Sequence, residues 1–177
     1  FVSKLLPLIA EAGVAAMPNP LINIGIQGRH DTYPKRRGMT RVPELLDHGI
    51  TVAFGHDCVM DPWYSLGQGD MLDVAGMGLH VAQMTGRDAM RQCFAAVTTQ
   101  PAKILNLEGY GLEAGCKADM VLLQAADTIE AIRLKATRLA VIKSGKVIAR
   151  TPAKVSALSL AGRPANVDPA SYAPRLG

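Results

Sequence analysis

The chain has 177 residues, a length for about one domain, with 49% hydrophobic, 19% charged and 5% aromatic residues. So apolar a composition excludes an intrinsically disordered chain, and 17 glycines without a three-residue period exclude a collagen-like one. Lys4, Glu11, Lys35 and Asp47 break up the apolar runs well short of the roughly 18 residues that cross a bilayer, so no membrane partner is expected. The net charge is +4, but the basic residues are spread along the chain. Their one cluster, Lys35-Arg36-Arg37, has Tyr33 as its single aromatic neighbour and no stacking platform. It reads as a solvated or salt-bridged loop, and no nucleic-acid partner is expected. Cys58, Cys93 and Cys116 are odd in number and form no C-x-x-C pair, which favours a reducing, cytoplasmic location over a disulfide framework. The chain opens on Phe1, and Val2 to Ala12 reads as the middle of something, so a portion of a longer protein is expected.

Phe1 to Gly13 carries apolar residues at helical spacing with Pro7 in its middle, and reads as a helix that Gly13 stops. Val14 to Met17 and, after Pro18-Asn19-Pro20, Leu21 to Ile26 read as two short extended segments. Gln27 to Gly38 is a loop of a length that is usually functional inside a compact domain. Thr40 offers an N-cap, Pro43 sits in a first turn and Gly49 follows as a C-terminal stop, bracketing a short helix. Ile50 to Phe54 is a continuous apolar run, expected as a strand covered on both faces, and it ends in Gly55-His56-Asp57-Cys58.

Asp70 then caps a helix over Met71 to Met84, and further helices are expected over Asp88 to Val97 and Thr99 to Asn106, the methionines there serving as packing. Strands follow at Met120 to Leu123, Leu139 to Ile142 and Lys146 to Ala149. A short helix begins at the Asp127/Glu130 capping box, and Ser144-Gly145 forms a turn. Pro152 to Gly177, rich in Ala, Ser and Pro, reads as an irregular surface tail. The alternation is that of an α/β protein, in which chemistry collects where strands end.

Asp57 is the informative residue. A carboxylate at the lip of a buried strand is costly unless paired, protonated or bound to a cation, and two readings stand: a cap or salt-bridge partner, and a metal or catalytic carboxylate. Strand alternation turns His56 away from Asp57 unless the backbone bends, so His56 reads as a structural hydrogen-bonding residue beside the site. His30, His48 and His80 have no metal-ligand spacing, and His48 suits a helix C-terminus. Trp63, presented after Pro62, either stacks on a planar ring or anchors its loop.

The stretches Asn19-Pro20-Leu21-Ile22-Asn23-Ile24, Gln27-Gly28-Arg29 and Asp31 to Gly38 resemble the bacterial cytosine deaminase branch of the metal-dependent amidohydrolase superfamily. So do Thr40-Arg41-Val42, Phe54-Gly55-His56-Asp57, Asp61-Pro62-Trp63-Tyr64 and Met77-Gly78-Leu79-His80-Val81. Pro101-Ala102-Lys103, Ala118-Asp119 and Gly145-Lys146-Val147-Ile148 resemble the tail of the wider superfamily. The resemblance implies the C-terminal portion of a TIM-like (β/α)8 barrel in 1–110 and part of a small β-sandwich domain in 111–151, which leaves 152–177 as the tail.

It also implies a hydrolase that uses one divalent metal, iron or zinc, to activate water against a ring carbon and release ammonia. Asp57 matches the superfamily's metal-binding and proton-transferring Asp, and Trp63 matches a residue lining the pyrimidine pocket. The remaining ligands are expected upstream of Phe1, so the 177 residues alone are expected to be inactive. Cys58 stands where the cytosine deaminases have a second Asp facing the ring, which shifts the expected substrate toward other cytosine-like heterocycles: isocytosine-like, creatinine-like or N-alkyl triazine rings. A homo-oligomer is compatible with this reading, and its rival is a non-catalytic module that keeps the fold.

Overall fold

The computed structural model describes residues 1–167, and the chain divides into a unit over Phe1–Glu108 and a second from Gly109 onward. The fold is mixed α/β.

The first unit opens with α1 (Val2–Glu11), which tolerates Pro7 inside it and buries Leu6. Gly13, at φ +65°, ends it in the left-handed conformation that glycine adopts at no steric cost. Residues 14–18 then run extended beside 50–55. Ala16 N–H donates to the Thr51 carbonyl (2.9 Å), Ala53 N–H to the Ala16 carbonyl (3.0 Å) and Gly55 N–H to the Pro18 carbonyl (3.0 Å). This is a parallel ladder, centred on the bridge between Ala16 and Val52. The two expected strands therefore pair, but as a short bridge. Phe54 N–H leaves the ladder for the Ala96 carbonyl (2.7 Å). Val52, Ala53 and Phe54 are all buried, as a run covered on both faces requires.

The expected extended segment at Leu21 to Ile26 is instead α2 (Pro20–Ile26). Pro20 does not break the chain there. At the first helical position its fixed φ suits the helix and its missing N–H has no intrahelical partner to lose. Gln27 to Gly38 is the expected loop, and α3 (Val42–Asp47) follows with Arg41, not Thr40, at its N-cap. Arg41 Nε pairs with Glu44 Oε1 one turn on (2.8 Å), and His48 is the C-cap residue.

The expectation for the next helix holds: Asp70 Oδ1 accepts from Leu72 N–H (2.8 Å) at the start of α4 (Met71–Val81). Then come α5 (Arg87–Ala95) and α6 (Thr99–Ile104). α4 lays Leu72, Val74, Ala75 and Leu79 into the core, and Met84 and Cys93 close it. Gly78 of α4 lies against the Phe54 ring, where a Cβ would come within 2.4 Å of it. That close approach is why a glycine sits inside a helix there.

In the second unit β1 (Met120–Leu123), β2 (Arg138–Lys143) and β3 (Lys146–Arg150) form an antiparallel sheet in that order. Ser144 and Gly145, both at positive φ, make the two-residue hairpin between β2 and β3. Asp119 fastens the same turn, accepting from Ser144 N–H (2.7 Å) and pairing with Lys143. Between β1 and β2 lies α7 (Thr128–Arg133), started as expected by Asp127 Oδ1 accepting from Glu130 N–H (2.8 Å). Glu130 is buried and grips Arg133 through both carboxylate oxygens (2.7 Å each).

The tail departs from the irregular expectation. β4 (Ser156–Ala157) pairs with β5 (Asn166–Val167), and the Gln124 side-chain amide exchanges two hydrogen bonds with the Lys154 backbone, each 2.8 Å. Short polar ladders of this kind leave no apolar alternation to read. The rest of the expected tail, 168–177, lies outside the described residues. Among the described residues no helix is long and apolar enough to cross a membrane.

Candidate functional site

The parallel segment 50–55 delivers the chain to Asp57 at the surface of the first unit. Asp57 sits at φ +66°, a left-handed conformation uncommon outside glycine. This is the bend that lets neighbouring side chains leave strand alternation. His56 spans it: its ring Nδ1 lies 2.9 Å from the Cys58 carbonyl oxygen. A carbonyl only accepts, so Nδ1 carries a proton. Nε2 is buried and without a partner among the described residues, with Gly67 packed against the ring so closely that a Cβ there would meet Cε1 at 2.5 Å. His56 is thus placed beside the site as a hydrogen-bonding strut.

Cys58 Sγ lies 3.4 Å from Asp57 Oδ1, and Asp61 is its second carboxylate neighbour. A thiolate between two carboxylates is opposed by both. The hydrogen bond to Asp61 first, then burial and Asp57, push the thiol up to about 12, so it stays protonated. The same hydrogen bond, joined by those from the Tyr64 and Trp63 backbone N–H groups (2.9 and 3.0 Å), holds Asp61 below the usual carboxylate range. Asp61 thereby ties the turn that carries Trp63. The Trp63 side chain is 67% exposed, and its carbonyl accepts from Arg29 Nη2 (3.0 Å).

Arg29 belongs to the loop 27–38, which is closed by its own charges. Arg36 binds Asp31 through Nε and Nη2 (2.6 Å each), Lys35 Nζ donates to the Gly28 and Arg29 carbonyls (3.3 and 2.9 Å), and Arg37 Nη1 to the Gln27 carbonyl (2.8 Å). The Arg36 guanidinium keeps Asp31 below the ordinary carboxylate range. The basic cluster therefore ties together its own loop, which in turn supports the Trp63 loop.

The structure brings Asp57, Cys58 and Trp63 onto one loop after one strand. It also brings in Asn19, whose Nδ2 lies 3.3 Å from Asp57 Oδ2, and Arg29. Neither had a spacing signal, since Asn19 lies 38 residues from its partner and Arg29 lies 34 from its own. Only the parallel pairing of 14–18 with 50–55 makes Asn19 and Asp57 neighbours. No group of three or more His, Cys, Asp or Glu side chains that could hold a metal gathers among the described residues. Asp57 is an exposed carboxylate fit to be one ligand of a larger set, and the described residues offer no complete set.

The sequence profile of the amidohydrolase family matches residues 2–149. The chain belongs to that family. Its structure is similar to a 5-methylcytosine deaminase from Klebsiella pneumoniae liganded with 5-fluorocytosine, with TM-score 0.82, 41% identity, and coverage of 86% of this chain and 37% of that one. It is also similar to an N-isopropylammelide isopropylaminohydrolase from Burkholderia multivorans, with TM-score 0.69, 31% identity, and coverage of 83% and 34%. In sequence it is 31% identical over 146 residues to a pterin deaminase of Rhizobium rhizogenes, covering 81% of this chain and 33% of that protein. This amidohydrolase chain therefore spans about a third of the length of these relatives. Family membership implies a TIM-barrel-type fold, to which the parallel bridge and flanking helices of the first unit conform.

Proposed function

We propose that this chain is the C-terminal portion of a metal-dependent amidohydrolase that deaminates a cytosine-type ring, with 5-methylcytosine the foremost candidate. In that reaction the ring C–NH2 bond is hydrolysed to a carbonyl and ammonia. The observation that carries the reading is the loop holding Asp57, Cys58 and Trp63 together at the end of a parallel strand, in a chain 41% identical to a 5-methylcytosine deaminase.

A divalent iron or zinc ion, when bound, lowers the pKa of water so that hydroxide is present near neutral pH. Asp57 would hold that ion through its carboxylate, take the proton released as water is activated, and pass it to the departing amine. Its left-handed backbone and its bonds to Asn19 and Cys58 aim it outward from the strand end. Trp63 would lie against the flat face of the ring. Cys58, kept protonated, presents a neutral and weakly polar edge where the cytosine deaminase branch has a carboxylate. That edge suits a ring position carrying a methyl group better than one that donates a hydrogen bond.

The remaining ligands would come from barrel strands outside these 177 residues, and the second unit would form part of a small β-sandwich domain in a cytoplasmic enzyme. The test is ammonia release by the full-length protein on 5-methylcytosine, cytosine, isocytosine, a pterin and an N-alkyl triazine. Turnover of 5-methylcytosine should be highest. Asp57→Asn should cost at least about a hundredfold in kcat, and Trp63→Ala should act mainly on KM. Undiminished turnover in Asp57→Asn would sink the assignment. Turnover confined to the triazine or the pterin would move the substrate class to that of the other relatives.

A further inference from the structure

We infer that Asn19 is a positioning residue for Asp57, set in place by Gly55. Asn19 occupies the N-cap of α2, where an asparagine ordinarily bonds the free backbone N–H groups of the first helical turn. Here the side chain makes no such bond. Its amide is turned the other way, with Nδ2 lying 3.3 Å from Asp57 Oδ2 and Oδ1 lodged over the backbone of Gly55. The fit at Gly55 is so tight that a Cβ would stand 2.2 Å from Asn19 Oδ1. The glycine therefore leaves room for this one orientation of the amide, and the orientation puts a donor at the carboxylate.

Asn19 Nδ2 thus holds Asp57 by Oδ2 although the residue is exposed, and Cys58 Sγ lies 3.4 Å from Oδ1. An exposed carboxylate without such partners turns freely and must be ordered by whatever it binds. Asn19 removes part of that cost beforehand. Because an amide is neutral, it does so without competing for a cation.

The inference rests on the reading of Asp57 as a metal ligand, and the experiment separates the two. The full-length protein is loaded with zinc and dialysed against rising chelator, and bound metal is measured by elemental analysis. Asn19→Ala should release zinc at about a tenth of the chelator concentration the parent withstands. Gly55→Ala should shift release in the same direction, by displacing the amide. The metal-free Asn19→Ala protein should melt where the metal-free parent does, which a merely structural role for the helix cap would not allow. Parental zinc retention in Asn19→Ala overturns the inference. If Asn19→Ala does not fold, Asn19→Leu, similar in size but with no donor for Asp57, carries the test: weaker retention supports the inference, and retention equal to or tighter than the parent's overturns it. Asp57→Asn distinguishes the failures. If it too retains zinc like the parent, the ligand reading is wrong; if it loses zinc while Asn19→Ala does not, only the role of Asn19 falls.

Discussion

The protonated state of Cys58 makes a sharp prediction about its reactivity. Alkylation by iodoacetamide proceeds through the thiolate, whose concentration is set by the pKa. At pH 8 a free cysteine of ordinary pKa is about one-tenth to one-quarter thiolate. A thiol at about 12 is thiolate in about one molecule in ten thousand. Cys58 should therefore be alkylated at least about tenfold more slowly than N-acetylcysteine at pH 8, the greater nucleophilicity of a more basic thiolate offsetting only part of its scarcity. The hydrogen bond from the thiol to Asp61 is the foremost cause, so Asp61→Asn, which leaves an oxygen to accept from the Trp63 and Tyr64 N–H groups, should speed the reaction by at least about tenfold. The assay follows Cys58 peptide modification with time by mass spectrometry, with tryptophan fluorescence reporting that the loop is intact. Modification of the parent protein at the rate of N-acetylcysteine, or an Asp61→Asn rate no faster than the parent's, would refute the two-carboxylate account.

Further outcomes follow from the same physics. Gly78→Ala should gain about 1 kcal/mol of helix propensity and lose about 1–3 kcal/mol by driving a methyl into the buried Phe54 ring, giving a lower thermal midpoint that a restored glycine corrects. A midpoint above the parent's would show that the ring can yield. The Asp31 carboxyl is held low by Arg36, so its contribution to loop closure is complete above the unfolded carboxylate pKa of about 3.9 and is lost as pH falls through the lowered folded value. Proteolysis within 27–38 should therefore rise below about pH 4, and Asp31→Asn should show the same susceptibility at pH 7. Equal protection of parent and Asp31→Asn at pH 7 would argue that the ion pair does not close the loop.

Much of the local structure was legible in particular residues. Asp70 before an apolar helical stripe and Asp127 three residues before Glu130 declare helix starts, because a side-chain acceptor within reach of an otherwise unpaired N–H works the same way in any fold. Ser144-Gly145 declares its hairpin, since few residues accept positive φ. α2 was illegible because seven residues show too little periodicity to distinguish a helix from a strand, and Pro20 is equally at home ending an extended run or beginning a helix. The two-residue strands β4 and β5 lie below any pattern a sequence can display.

The candidate site divides in the same way. Chain order places Asp57 after a buried apolar run, the cysteine directly after it and the tryptophan six residues on, because these are neighbours along one loop and their order is their proximity. Tertiary structure alone decided what those groups are. The guanidinium of Arg29 at the Trp63 carbonyl and the amide of Asn19 at the Asp57 carboxylate depend on chain paths that return after 34 and 38 residues. Side-chain chemistry is written residue by residue, whereas the charge, hydrogen bonding and orientation that turn it to a purpose act through space.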